Sequence, residues 1–449
     1  MKKSILLVGI LIAILGYNLR LHQVNHFPPV NDTHDEQKAV FNGISLIKTG
    51  VPRSWSWFDI YGAFPIVHIG DSDYRIVEPW FEEPPLFSLM AGGYAIARGM
   101  DSFEKVNTAL MRSPMVRIAA FDIFLLFLLV FLIRGPLEAA LASLVYATVP
   151  TFVLGSRMPI SENMVTTALL LSLVLFVTYL KRSSTWLVVL IALIGSSAFL
   201  MKQTGIFVPI SLIILSFALK KYKAGLIIFV TLLIFFAAWM LYGAYYNFDL
   251  FLKMFSAQSG RELFMPGQII NLFQVFRIAE SAMSTDGWII WGWICVIIFS
   301  FIRWKDESIL SKFILPVTVG TYLVLFSIMS GHNKGWYRFP FYPFLAWASA
   351  AVLIESVKNP RFLSTLFFIG IPFSSSYIYG NGEYKWNTSE IKNYQIALVA
   401  FMIPPMLYEL FGGNHRLKTL VQGLLIGAFV LAIILNIQTI LVYQDQFWY

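Results

Sequence analysis

A chain of 449 residues that is 57% hydrophobic and only 13% charged, with a mean hydropathy of +0.69, is not a water-soluble globule, which would carry about 25% charged residues. It reads as a polytopic membrane protein, and its net charge of +8 does not make it a nucleic-acid binder. The basic residues stand in short gaps between apolar runs, where they set orientation. The single cysteine, Cys295, excludes an intramolecular disulfide.

In chain order, Lys2 and Lys3 precede an apolar stretch to Tyr17 with no small-x-small cleavage site, so an uncleaved first span is expected. A span needs about 20 apolar residues. On that rule about thirteen are expected, at 4–20, 114–133, 136–155, 162–180, 185–201, 204–219, 224–243, 287–302, 312–330, 339–357, 361–377, 395–411 and 418–437. The clusters Lys2/Lys3, Arg134, Lys181/Arg182, Lys220/Lys221/Lys223, Arg303/Lys305, Lys358/Arg361 and Arg416/Lys418 fall at every second turn. This alternation predicts a cytoplasmic N-terminus. The opposite, extracytoplasmic face then receives the loop at about 21–113, Ser156–Ser161, the Lys202 turn, the 244–286 loop, Gly331–Arg338 and a Ser374–Tyr394 loop. No repeat, linker or soluble tail interrupts the pattern, so a single domain over 1–449 is expected.

Within the first loop, Thr33 followed by Glu36 fits a capping box. Val40, Phe41, Ile44 and Ile47 form an apolar stripe, and Lys38, Asn42, Ser45 and Thr49 a polar one, up to Gly50 and Pro52. The pattern predicts an amphipathic helix lying in the membrane interface. A second helix is expected behind Pro84–Pro85, from Leu86 to about Arg98.

Membrane helices are poor places for acid–base chemistry, so this loop is the place to look for it. Asp35 sits in the first turn of a helix, where the carboxylate form is favoured, and is either a base, a cation ligand or a simple cap. Glu82 and Glu83 precede a Pro-Pro pair that fixes the backbone, and alone they read as solvated charges. Asp71-Ser72-Asp73 has the D-x-D form of nucleotide-sugar enzymes, which need a soluble nucleotide-binding domain that this chain lacks. Lys202 stands between two apolar runs, where a charge costs about 2.5 kcal/mol or more unless it snorkels to the interface or meets a buried anion. Arg157 and Glu162 flank a turn as an ion pair or around a cap at Ser161. Gly331–Pro343 packs cationic and aromatic groups at the mouth of a span, as an anchoring belt or a phosphate site.

Taken in order, these stretches resemble one family. An acid follows the first span at Asp35-Glu36, E-x-P-P closes the loop at Glu82–Pro85, and S-R-x-x-x-x-E runs from Ser156 to Glu162. Then come A-F-L-x-K-x-x-G around Lys202 and Y-R-F-P-x-x-P from Tyr337 to Pro343. The order resembles the GT-C glycosyltransferases, in the family 39-like branch that holds the protein O-mannosyltransferases and the lipid A aminoarabinose transferase. The resemblance covers roughly residues 1–350. It implies an all-α integral membrane bundle in a bacterial or archaeal plasma membrane, with its active site outside the cytoplasm. It also implies transfer of a sugar from a polyprenyl-phosphate donor to an acceptor of unknown kind, with inversion if one displacement suffices.

By residue, the resemblance implies that Asp35 and Glu82 are the catalytic acids. It implies that Lys202, Tyr337, Arg338 and Glu162 bind the donor, and that Glu83 and Glu36 serve acceptor or cation. The metal requirement is open, since Asp35 and Glu82 are also able to hold a divalent cation through oxygen ligands. One departure stands out: the aminoarabinose transferases have E-K-P where this chain has Glu82-Glu83-Pro84. Rival readings are a transporter or flippase of lipid-linked saccharides and a non-catalytic subunit of a glycan-assembly complex. A transporter would place ionisable groups at the midplane on broken helices, whereas these carboxylates lie in a loop.

Overall fold

The computed structural model describes residues 3–29, 35–69, 72–259, 286–301, 309–328, 335–382, 388–411 and 414–442. The first apolar run is a helix, α1 (Lys3–Leu21), and Arg20 in its last turn points into the protein. A buried cation needs partners, and Arg20 has them. Its Nε donates to Ser156 Oγ at 2.7 Å, and its terminal nitrogens donate to the carbonyls of Gly16, Ala147 and Tyr146.

The loop that follows carries α2 (Asp35–Thr49) and α3 (Pro85–Ala97), and then the chain returns through α4 (Thr108–Arg134), α5 (Pro136–Thr148), α6 (Pro150–Gly155), α7 (Ser161–Arg182) and α8 (Thr185–Met201). Next come α9 (Phe207–Ala218), α10 (Tyr222–Tyr246), α11 (Phe248–Ser259), α12 (Gly287–Phe301) and α13 (Ile309–Ile328). The last part is a 3-10 turn (Gly335–Phe341) leading into α14 (Tyr342–Lys358), then α15 (Phe362–Phe368), α16 (Ser374–Gly380), α17 (Thr388–Leu410) and α18 (His415–Val442). At their described residues the expected spans fall on helix, save for the break before Pro150. Among the described residues, seven helical stretches are long and apolar enough to cross a membrane, and α8, α12, 203–218 and 312–328 are shorter apolar helices. The chain is an integral membrane protein. Gly335–Lys358 is the most enclosed of the seven, and α4, α5 and α12 pack on α14.

Prolines decide where the expected spans break. Pro136 and Pro150 begin helices, where a missing N–H is harmless. A single span over 136–155 is therefore two helices, because Pro150 cannot donate back into the turn before it. The expected 374–394 loop is helix at most of its described residues, and a π-turn at Ile369–Phe373 joins α15 to α16.

Two features of the first loop depart from expectation. It is not purely helical: β1 (Ser54–Trp55), β2 (Ile66–Ile69) and β3 (Ser72–Val77) form a small antiparallel sheet in the order β1-β3-β2. Trp55, Tyr74 and Ile76 from this sheet bury together with Phe41 of α2, with the Phe41 and Tyr74 rings edge to face at 5.6 Å. Asp73 of the D-S-D stretch is exposed on β3 and bonded to His68 Nδ1 at 2.8 Å, while Asp71 lies outside the described residues.

The second departure concerns α2, which is buried on its polar stripe as well as its apolar one, from Glu36 through Ser45. It packs face to face on α3, with Gly43 and Gly92 at the crossing. A methyl group on Gly43 would strike the carbonyl of Ser88, and one on Gly92 would strike the backbone of Gly43. Overpacking a core costs about 1–3 kcal/mol where neighbours can adjust, and backbone cannot. Both glycines are needed for this approach, and it sets α2 at the height where Asp35 and Lys38 meet the end of the loop.

Candidate active site

Asp35 opens α2, and a spacing of three places Lys38 one turn along on the same face. Lys38 Nζ lies 2.9 Å from Asp35 Oδ1 and 2.9 Å from Glu82 Oε2. The ring of Trp55 covers another side of the ammonium, with its centroid 4.3 Å away. Burial opposes the charge on Lys38, but Asp35 and Glu82 outweigh it and hold the ammonium above its usual range.

Glu82 is held from behind. Its carbonyl accepts from Gln203 Nε2 at 2.8 Å and from Gln258 Nε2 at 2.7 Å, and the Phe81 N–H donates to Tyr61 Oη at 2.9 Å. Pro84 and Pro85 then turn the chain into α3 with an extended residue before a helical one. The loop end is therefore tied to α11 and to the turn after α8, and its two acids point in fixed directions.

The second half of the site is centred on Lys202, where α8 ends and the chain turns extended (φ −156, ψ 144). Its Nζ lies 2.9 Å from Glu83 Oε1 and 2.7 Å from Glu162 Oε1, with the Tyr337 ring centroid at 4.9 Å. Ser161 Oγ is 3.3 Å from an oxygen of each of these two acids. Lys202 is only 7% exposed, so it does not snorkel; it meets buried anions. Burial lowers its proton affinity, yet Glu162 and Glu83 together carry it well above the usual lysine value.

These groups share a cavity of about 470 Å³, lined by Asp35, Lys38, Glu82, Glu83, Lys202, Gln203 and Gln258 and walled by Trp57, Phe58, Trp336 and Tyr337. A smaller adjoining recess carries Ser161 and Glu162. Asp35 is the most accessible of the acids, its side chain 27% exposed against 19% for Glu83, 4% for Glu82 and 1% for Glu162. The arrangement offers a partly exposed carboxylate, Asp35, and a buried ammonium, Lys202, lining one aromatic-walled space.

The structure therefore brings together Asp35, Glu82, Glu83, Glu162, Lys202 and Tyr337. Two expected residues, Glu36 and Arg338, line neither the cavity nor the recess. Glu36 is fully buried against Arg112 of α4, accepting from Arg112 Nε at 2.8 Å and from its terminal nitrogen at 2.6 Å. It fastens α2 to α4 and lies outside the lining of the cavity; Thr33, the other half of the expected capping box, lies outside the described residues. Arg338 is buried in the 3-10 turn and is absent from the lining of both cavities. Nor does Arg157 pair with Glu162. It donates to the carbonyls of Phe27, Leu19 and His22, anchoring the end of α1. Residues 331–334 of the late basic cluster lie outside the described residues.

Sequence reasoning missed Lys38, Trp57, Phe58, Gln203 and Gln258 as site residues. Lys38 had a signal in its i, i+3 spacing to Asp35, and Gln203 in its adjacency to Lys202. Gln258 had none, since its bond to Glu82 spans 176 residues.

A divalent cation held by Asp35 and Glu82 would need several oxygen ligands around it. The residues present do not fit one, because Lys38 already stands within 2.9 Å of both carboxylates. Among the described residues, no group of three or more His, Cys, Asp or Glu side chains is placed to hold a metal ion.

No family model matches the chain in sequence, and no curated protein does. Its structure, however, is similar to solved membrane enzymes. ArnT from Cupriavidus metallidurans bound to undecaprenyl phosphate aligns at TM-score 0.56 and 12% identity over 99% of this chain and 78% of that one. The arabinosyltransferase EmbB from Mycobacterium smegmatis aligns at TM-score 0.60 and 12% identity, over 98% of this chain and 41% of that one. At such identity the likeness speaks for the fold. The chain has the GT-C fold, a multi-span helical bundle of the membrane, as the order of its motifs implies.

Proposed function

We propose that this protein is a membrane glycosyltransferase that moves a sugar from a polyprenyl-phosphate carrier to an acceptor hydroxyl or amine. The observation that carries this reading is the cavity itself, with accessible Asp35 and buried Lys202 lining one space in a GT-C bundle. ArnT, which shares the fold, is bound to undecaprenyl phosphate, and this supports a lipid-phosphate donor. In the step proposed, the acceptor heteroatom attacks the anomeric carbon while the bond from that carbon to the phosphate oxygen breaks. Asp35 takes the acceptor proton, and the electron pair leaves with the phosphate, whose charge Lys202 offsets. A single displacement inverts the anomeric carbon. Glu83 and Glu162 hold Lys202 at its post, and the donor phosphate competes with Glu83 for it.

A panel of labelled polyprenyl-phosphate sugars, incubated with membranes that hold this protein, tests the reading. One donor should pass its label to an acceptor with release of the lipid phosphate. Label that crosses the bilayer with its sugar–phosphate bond intact would mark a transporter instead.

The charge alternation of the turns supports a cytoplasmic N-terminus and a cavity facing away from the cytoplasm. Cysteines placed at Ser72 and Ser183 in intact cells check this with an impermeant reagent. Ser72 should react and Ser183 should not, and the converse would reverse the topology.

A further inference from the structure

We propose that Lys38 takes the place of a divalent cation in this cavity, its ammonium acting as the resident counter-ion that positions Asp35 beside Glu82. For its catalytic half the proposal rests on the transferase reading above. Its structural half, the exclusion of metal, is measurable without any substrate.

The geometry leaves little for a metal to do. An ammonium has three N–H donors, and that of Lys38 meets Asp35 Oδ1 and Glu82 Oε2 at 2.9 Å each and the face of Trp55 at 4.3 Å. Two carboxylates and a π-face satisfy it. Its backbone is fixed as well, because Ser54 Oγ donates to the Lys38 carbonyl at 2.7 Å and ties α2 to β1. A hydrated cation entering here would have to expel a buried, paired lysine.

Removing the ammonium would change the chemistry of the same spot. Asp35 and Glu82 would then lose the charge that Lys38 places between them, one of them almost wholly buried. Glu82 Oε1 is also buried and has no hydrogen-bond partner among the described residues. A gap edged by carboxylate oxygens is what a hard divalent cation binds. The lysine differs from such an ion in one functional respect. It orients Asp35 through Oδ1 but supplies no Lewis acid to the phosphate, whose charge then falls to Lys202.

The test uses the purified full-length chain in detergent with Mn²⁺ as the probe, read by the paramagnetic resonance signal of free and bound ion. Wild type is expected to show no saturable Mn²⁺ site that depends on Asp35. Lys38→Ala is expected to acquire one, and Lys38→Ala combined with Asp35→Asn to lose it again. Should Lys38→Ala not fold, Lys38→Gln removes the charge while keeping bulk, and the same outcome is expected of it. With a donor in hand, wild type should turn over at an unchanged rate after chelation. Folded Lys38→Ala should then be slower by about 10²-fold, the effect of a misplaced group, and regain part of the rate with Mn²⁺.

A wild-type Mn²⁺ site abolished by Asp35→Asn would overturn the proposal, as would metal-dependent wild-type turnover or folded Lys38 variants that bind no Mn²⁺. Failure of wild type to use any donor would count against the transferase reading alone, and the Mn²⁺ arm would still decide the placement of Lys38.

Discussion

Asp35→Asn is expected to lower sugar transfer by about 10² or more while leaving donor binding nearly unchanged. Asn has the shape of Asp, and its Oδ1 can still accept from Lys38 Nζ, which lies 2.9 Å from that atom in the native protein. The helix start and the aromatic cover of Lys38 by Trp55 should therefore survive. What disappears is the basic oxygen. Among the four acids of the site Asp35 is the most exposed to the cavity, at 27% of its side chain, and Glu82, at 4%, cannot readily replace it for an incoming acceptor. Turnover and donor affinity measured on the same preparation separate the two effects. Transfer at the wild-type rate would return Asp35 to the role of a helix cap.

The second large effect is expected at Lys202. A cation bonded to phosphate in a partly desolvated site contributes about 1.5–3 kcal/mol, so Lys202→Ala should weaken donor binding by at least about tenfold. The same substitution strands Glu83 and Glu162, which lie 2.9 and 2.7 Å from the ammonium. Breaking a buried pair by removing one partner costs about 3–5 kcal/mol. Thermal melting must accompany the binding measurement, so that lost affinity is read only on folded protein.

Glu83→Gln supplies the opposite sign. It removes the anion that competes for Lys202 while Glu162 still holds the lysine, so donor binding should tighten. Glu83→Lys, which would restore the E-K-P pattern of the aminoarabinose transferases, should instead set two ammonium groups against each other beside Glu162 and weaken the site. Donor binding equal to wild type in folded Lys202→Ala would make the phosphate assignment wrong.

Much of this was legible from the chain alone, and for local reasons. Apolar length marks a span wherever it occurs, so the helices fall where the hydropathy puts them. Pro84 and Pro85 fix the exit of the loop by their own φ angles, and three-residue spacing sets Lys38 beside Asp35. Even the buried fate of Lys202 was foreshadowed, because a charge between two apolar runs needs an anion or an interface.

What the chain order could not express was which anion. Lys38 reaches Glu82 across 44 residues and Lys202 reaches Glu83 across 119. The neighbouring acids Glu82 and Glu83 thus serve different lysines, and either pairing would have been consistent with the sequence. Glu36 and Arg112, 76 residues apart, show the same limit: one residue from Asp35, Glu36 faces α4 instead of the cavity, because consecutive helical positions point about 100° apart. The small sheet was equally hidden. A two-residue strand carries no periodic signal, and Trp55, Tyr74 and Ile76 take their places only when Phe41 of α2 is there to pack against. A contact between distant segments, such as the backbone approach of α2 and α3 at Gly43 and Gly92, is decided by the packed structure rather than by either segment.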